Sequence, residues 1–262
     1  MRVAVVTGAA RGIGAAVSRR LAAAGWRLVL VDRCADDPAV PYQMATPEEL
    51  DAVAAACGGE GAAVPVVADV RAAAALHDAV ELARARFGGV DAAVAVAGLI
   101  GGGRPAWETP DDLWAALLEV NLVGVHRLAA AAVPALLERP PPRSGRFVAV
   151  ASAASVVGLP LLAAYSASKH GVVGYVRSLA ADLGPEGITA NVVAPGSTRT
   201  EMLSASAALY ELEDPGELSR HHLDQRLLEP EEIAEAVAWL CSPASSGVTG
   251  AVLAVDAGMT SR

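Results

Sequence analysis

Short apolar runs recur along the chain at 3–6, 28–31, 63–67, 92–97, 147–150, 188–193 and 251–255, separated by longer alanine-rich stretches. Several of these runs are continuous instead of alternating, the pattern of strands buried on both faces. The stretches between them read as helices. Residues 12–24 stop at Gly25, a residue suited to a helix C-terminus. Residues 47–56 follow an N-cap at Thr46 and contain a first-turn proline, Pro47, and a capping-box glutamate, Glu49. Thr109-Pro110-Asp111-Asp112 repeats much of that logic before a long helical region, which the prolines between Arg139 and Arg143 bring to an end. Strands alternating with helices predict an α/β fold, a doubly wound parallel sheet flanked by helices. Pro65 lies inside the third run, and its missing N–H places that strand at a sheet edge. No repeat or linker divides the chain, so residues 1–262 read as a single domain.

Composition narrows the setting. Hydrophobic residues make up 53% of the chain, with Ala and Val prominent, so a sizeable core is built from small side chains. A net charge of −9 argues against nucleic acid or an anionic membrane as partner. Cys34, Cys57 and Cys241 are widely spaced and form no CxxC pair. They read as reduced thiols of a cytoplasmic protein, with neither a disulfide framework nor a zinc site. The opening MRVAVVTGAARG has too short an apolar run for a signal peptide. Residues 147–168 are uncharged and nominally long enough to span a bilayer. Their serines, Tyr165 and Pro160 instead suit a strand followed by a loop, and no membrane span is expected.

The first strand runs into a turn with Gly8, Gly12 and Gly14 and then a helix start. Glycines there let backbone approach a pyrophosphate seated on the helix N-terminus. The spacing, GxxxGxG, differs from the commoner GxGxxG, and such turns also serve packing. Asp32 closes the second strand, where a carboxylate accepts hydrogen bonds from ribose hydroxyls and repels a 2′-phosphate. NAD is therefore expected over NADP, although the neighbouring Arg33 would partly offset that repulsion. Asp69-Val70, after the third strand, either holds the adenine ring or leaves Asp69 to cap the following helix.

In YSASKHG, Tyr165 and Lys169 are spaced i, i+4 and so share a helix face. A phenol ionises near pH 10, so a tyrosine base needs a cation beside it, and Lys169 is placed to provide one. Ser152 ends a strand, where side chains reach a ligand crevice and a hydroxyl can orient a substrate oxygen. Asn121 is a polar interruption of an apolar helix, suited to a proton-relay water or to a helix kink.

These residues together resemble those of the classical short-chain dehydrogenases/reductases. TGAARGIG at 7–14, Asp69-Val70, Asn121, Ser152, YSASK at 165–169, PGSTRT at 195–200 and VTGAVLAVDAG at 248–258 carry the likeness, which spans nearly the whole chain. The resemblance implies a single Rossmann-type domain with a seven-stranded parallel sheet, and hydride transfer between NAD and an alcohol/ketone pair. It implies a catalytic tetrad of Asn121, Ser152, Tyr165 and Lys169, with Tyr165 and Lys169 also against the cofactor. It further implies cofactor contacts at Gly8, Arg11, Gly12, Ile13, Gly14, Asp32, Arg33, Asp69, Val70, Ala97, Gly98, Pro195, Gly196, Thr198 and Thr200. A homo-oligomer, tetramer or dimer, with contacts around the helices of Asn121 and Tyr165, belongs to the same implication. Where the family usually has NNAG, this chain has AVAG at 95–98, which puts the rigidity of that loop in question.

Two further segments carry expectations. The connection 34–50 is long for a βα loop and is similar to the insert of actinobacterial short-chain dehydrogenases coupled to the peptide-derived redox carrier mycofactocin. That likeness implies NAD held without exchange and reoxidised in place, with Tyr42 and Met44 as apolar contacts of a clasp. Residues 201–226, irregular in pattern, read as a substrate lid with Met202, Leu203, Leu209, Tyr210 and Leu212. With Leu99, Ile100, Trp107, Leu159 and Leu162 it would enclose an apolar alcohol or ketone, cyclic or terpenoid. His221 and His222 are adjacent, point apart on a helix and lack a third ligand nearby, so no metal is expected. Two competing readings remain, an ordinary ketoreductase with freely exchanging NAD(P)H and a non-catalytic NAD-binding sensor; a sensor would not need the intact tetrad.

Overall fold

The computed structural model describes residues 1–261. Seven parallel strands form one sheet: β1 (Val3–Thr7), β2 (Arg27–Asp32), β3 (Ala63–Val67), β4 (Ala92–Ala95), β5 (Arg146–Val150), β6 (Thr189–Pro195) and β7 (Val252–Val255). Their spatial order is β3-β2-β1-β4-β5-β6-β7, so the chain reverses direction across the sheet between β1 and β4. That reversal opens a crevice at the carboxyl ends of the strands, where ligands of such sheets bind. Pro65 sits in edge strand β3, opposite Leu30, as its missing N–H predicts.

Alternate residues of each continuous apolar run serve opposite faces. Val3 and Val5 of β1 pack with Leu76, Val80, Leu128, Leu136, Val172 and Val176 in one core. Those residues come from α3 (Ala73–Phe87), α5 (Gly124–Leu137) and α6 (Ala163–Leu183). Ala4 and Val6 pack in the other core with Val17 and Leu21 of α1 (Gly12–Ala23) and with Leu50 and Val53 of α2 (Pro47–Ala56). In chain order, α4 (Asp111–Leu118) precedes α5, α7 (Glu201–Leu209) follows β6, and α8 (Pro230–Cys241) completes the second core with Ile233 and Val237. Covering both faces is what lets the strands be apolar throughout.

Helix signals were legible to different degrees. Thr46 and Glu49 form the expected reciprocal cap on α2. Gly25 lies just beyond α1 with φ +82, a conformation glycine adopts freely. The parallel expectation at Thr109 fails, because Pro110 takes the N-cap position of α4 and no side chain caps it. Between α4 and α5 the helix widens into a π-turn over Glu119–Val123, with Asn121 inside it. The run Asp111–Leu137 has the length and hydropathy of a membrane span, yet Leu117, Leu128 and Leu136 are fully buried in the core. Residues 147–168 resolve into β5, a connecting loop and the start of α6.

Candidate active site

The ends of β1, β2, β4, β5 and β6 meet around a cavity of about 520 Å³, within the range of small-molecule sites. Every residue expected to touch the cofactor lines it, as do Ser152, Tyr165 and Lys169; Asn121 is not on the wall. The floor is built by close approach. A Cβ on Gly14 would lie 1.8 Å from the Gly8 carbonyl oxygen, and one on Gly8 would lie 2.6 Å from the Ala97 amide nitrogen. The turn after β1 and the loop after β4 are thus in direct contact, with room only for glycine. Arg11 occupies the N-cap of α1 without a side-chain cap, so the first amides of that helix face the cavity beside Gly12 and Ile13.

Asp32 fixes this turn as well as offering a ribose acceptor. Its Oδ2 accepts from the Ala10 amide at 3.0 Å and its Oδ1 from Cys34 at 3.3 Å. Arg33 is committed elsewhere: its guanidinium donates to Asp37 and pairs with Asp69 at 3.2 Å. The expected offset of Asp32's charge by Arg33 is therefore weakened. Asp69 does not cap α3, whose N-cap is Ala72 with no side-chain bond; Asp69 instead binds the Arg71 guanidinium at 2.7 Å. Val70 lines the cavity and packs on the π-turn, where a Cβ on Gly124 would come within 2.8 Å of it.

At the opposite end, α6 presents Tyr165 and Lys169 together, and the β5 terminus supplies Ser152. Lys169 Nζ lies 5.8 Å from the Tyr165 ring centroid and donates to the Val150 carbonyl at 3.0 Å, leaving two protons for other acceptors. Burial pushes the Tyr165 phenol up, and a hydrogen bond with Ser152 pulls it part of the way back. Burial alone brings Lys169 down to about 8.

This burial has a consequence for stability. With its folded value near 8 against 10.5 when exposed, Lys169 holds fewer protons folded than unfolded across that window. Its contribution to stability therefore rises with pH between those values and is smallest below them. Tyr165 acts oppositely, since its raised value makes its contribution fall once pH exceeds the ordinary value of 10.0. Urea unfolding of wild type and Lys169→Met at pH 8 and pH 10 should show the wild type gaining on the variant at the higher pH.

Asn121 is fully buried behind the wall, with its amide spent on neighbours. Its Oδ1 accepts from the Leu99 amide at 2.7 Å, and its Nδ2 donates to the Leu99 carbonyl at 2.9 Å and to Ser168 Oγ at 3.0 Å. Ser168 in turn donates to the Tyr165 carbonyl at 2.7 Å. The π-turn aims Asn121 into this bracket, so its side chain positions the wall and does not line the cavity. Asn121→Ala strands the buried Leu99 peptide groups and should cost about 3 kcal/mol in urea unfolding.

The same bracketing answers the question raised by AVAG. Thr7 Oγ1 accepts from the Val96 amide at 3.2 Å and from Ala97 at 3.4 Å. Tyr42 of the 34–50 connection both accepts from the Ile100 amide at 3.0 Å and donates to its carbonyl at 3.3 Å. With Asn121 on Leu99, side chains from three other segments hold the loop rigid. Tyr42 is thus more than an apolar contact. The connection is tied down again where Arg11 donates to the Gln43 carbonyl, and Met44 lines the cavity.

The lid departs from an irregular segment. It contains the nine-residue helix α7 and a 3₁₀ turn over Pro215–His221. Met202, Leu203 and Tyr210 line the cavity with Leu99, Ile100, Leu159 and Leu162, and Tyr210 anchors to the Pro160 carbonyl at 2.9 Å. Trp107 does not join them; it is 84% exposed. His222 is buried and holds the loop after β6: its Nε2 accepts from the Ser197 amide at 3.0 Å, and its Nδ1 bonds the Arg226 carbonyl at 2.6 Å. In the same loop Thr198 donates to the Gly196 carbonyl at 3.0 Å, and a Cβ on Gly12 would meet Thr200 at 3.2 Å. Pro195 ends β6 at the head of this loop.

The donor set, the glycine cradle and the Asp32 carboxylate fit an adenine dinucleotide, and the comparisons with known proteins agree. A family model described as enoyl-(acyl carrier protein) reductase matches residues 8–260. The (−)-trans-carveol dehydrogenase of Rhodococcus erythropolis is 33% identical over 271 residues, covering 99% of this chain and 97% of that protein. An uncharacterized NAD-dependent oxidoreductase of Mycobacterium tuberculosis is 36% identical over 266 residues, covering 98% and 95%. The crystal structure of carveol dehydrogenase from Mycobacterium avium in complex with NAD superposes with a TM-score of 0.93 at 32% identity, covering 100% of this chain and 98% of that one.

Proposed function

The chain belongs to the short-chain dehydrogenase/reductase family and is an NAD-dependent oxidoreductase, and from that premise we propose that it interconverts an apolar, cyclic secondary alcohol and its ketone. The observation that carries this reading is one cavity in which Ser152, Tyr165 and Lys169 face the glycine cradle across a wall of Leu99, Ile100, Leu159, Leu162, Met202 and Leu203. Such a wall offers few partners for a polar substrate body, whose desolvation would go uncompensated.

When bound, NAD supplies the hydride acceptor and a positive charge. Tyr165 removes the hydroxyl proton of the alcohol at its phenolic oxygen, as general base in the oxidative direction. Ser152, at the end of β5, donates a hydrogen bond to the same substrate oxygen and fixes its distance from Tyr165. Lys169, held by Val150, would offer its remaining protons to the nicotinamide ribose, and its charge would favour the phenolate electrostatically. Asn121 keeps Leu99 in place, and with it the wall that sets the orientation of the substrate. Gly8, Gly12 and Gly14 admit the pyrophosphate to the start of α1, and Asp32 selects the unphosphorylated ribose.

The 34–50 connection supports a finer proposal. Tied by Tyr42 to Ile100 and by Arg11 to Gln43, it is a clasp that keeps NAD in place for reoxidation by an external carrier of the mycofactocin type. The enzyme is further read as a cytoplasmic homo-oligomer. The test uses purified protein, excess NAD and a panel of cyclic secondary alcohols including carveol, following the absorbance of reduced nicotinamide. A burst equal to the enzyme present, restarted only by an artificial acceptor, is expected. Steady growth over many turnovers would leave the alcohol chemistry standing but replace the clasp with freely exchanging NAD.

A further inference from the structure

The adenosine end of the cavity holds a charge arrangement that alcohol chemistry does not use. Asp37, in the 34–50 connection, has a side chain only 2% exposed, yet it lies between two guanidinium groups. It bonds Arg33 Nη1 on one side and Arg71 Nη2 on the other, the latter at 2.9 Å. Asp69 pairs with the same two arginines, at 3.2 Å to Arg33 and 2.7 Å to Arg71. The four residues all line the cavity beside Asp32, and their formal charges cancel.

Two arginines at the mouth of an adenosine pocket are a ready receptor for a phosphate, because a guanidinium binds phosphate oxygens through paired charge-assisted bonds. Here that capacity is already taken by carboxylates. Without Asp37, the remaining trio of Arg33, Arg71 and Asp69 would carry a net positive charge with free donors facing the pocket.

We propose that Asp37 is a specificity-determining residue: it occupies, as a built-in anion, the arginine pair that would otherwise receive the 2′-phosphate of NADP. This rests on reading the cavity as the dinucleotide site. Asp32 excludes the phosphate by repulsion at the ribose, whereas Asp37 withholds the donors that would compensate it. The two devices are independent in kind, so the second is visible only when the first is removed.

Asp37 also orders its own segment, since its Oδ1 accepts from the Ala39 amide at 3.0 Å and its carbonyl from Val40 at 3.2 Å. Asparagine keeps an oxygen for Ala39 while removing the charge, which separates the two roles. Dissociation constants for NAD and NADP are measured by calorimetry, without alcohol, on wild type, Asp32→Ser, and Asp32→Ser with Asp37→Asn. The Asp32→Ser change weakens NAD binding, and adding Asp37→Asn raises NADP affinity by about tenfold with little change for NAD. Adding Arg71→Ala to the pair reverses that gain, and Asp37→Glu in place of Asp37→Asn yields none. Thermal melting checks that each variant is folded, and Asp37→Ser, which also keeps an acceptor for Ala39, carries the same expectation if the asparagine variant is not. An unchanged NADP constant, or equal weakening of both cofactors, would overturn the proposal and leave Asp37 with loop ordering alone. An Asp32→Ser protein that binds NAD as wild type does would instead overturn the dinucleotide reading of the cavity.

Discussion

Replacing Tyr165 by phenylalanine should lower kcat for alcohol oxidation by about a thousandfold while leaving NAD affinity nearly unchanged. The ring is almost entirely enclosed, and phenylalanine keeps its shape, so the cavity and the packing of α6 survive. What is lost is the one oxygen that can take the substrate proton, and with it the hydrogen bond to Ser152. Lys169 does not substitute as base, since its nearest bonded partner is the Val150 carbonyl and its position follows from that bond. Steady-state kinetics with an artificial electron acceptor, and calorimetric NAD binding to protein freed of nucleotide, check both halves. A variant that kept its full biological effect would point to the sensor reading.

Gly14→Ala should weaken NAD binding by about a hundredfold, for a different reason. The added methyl would lie 1.8 Å from the Gly8 oxygen and 2.7 Å from its carbonyl carbon, and both are backbone atoms with no rotamer to yield. The turn must therefore open, moving the first amides of α1 away from the pyrophosphate position and releasing Ala97 from Gly8. Overpacking of this severity costs about 3 kcal/mol or more in stability. An equivalent loss in affinity is about a hundredfold. Gly61→Ala is the control, because nothing lies within 4 Å of a Cβ there. Calorimetric titration with NAD and thermal melting of both variants test the contrast.

The residues legible in the sequence share a physical property: each acts from the end of a strand or the start of a helix, where local pattern fixes its place. Gly8 through Gly14, Asp32, Ser152 and the Tyr165–Lys169 pair all belong to this class, and Pro65 at the sheet edge follows the same logic. What stayed hidden depends on tertiary contact. That Thr7 would brace Val96 and Ala97 could be guessed only from its being the polar end of an apolar strand. Asn121 was singled out correctly as an anomaly, but only the π-turn decides that it faces Leu99 instead of the cavity. The adjacency of His221 and His222 says nothing of His222's acceptor role, which depends on the lid folding back over Ser197. Trp107 misled because an aromatic near a substrate loop reads as a wall, whereas its 3₁₀ turn, Ala106–Glu108, carries it outward. Thr109 misled because a threonine before proline suits a cap, yet the helix begins one residue too late for its hydroxyl to reach.

The central claim, hydride transfer from an apolar secondary alcohol to NAD with Tyr165 taking the hydroxyl proton, is tested most directly by a single turnover. Protein loaded with NAD is mixed with excess carveol, and the absorbance of reduced nicotinamide is followed in a stopped-flow instrument. Reduced nicotinamide should form to one equivalent per active site in the wild type and fail to form on the same timescale in Tyr165→Phe. No absorbance change with carveol or any other cyclic alcohol, in protein that demonstrably holds NAD, would contradict the account.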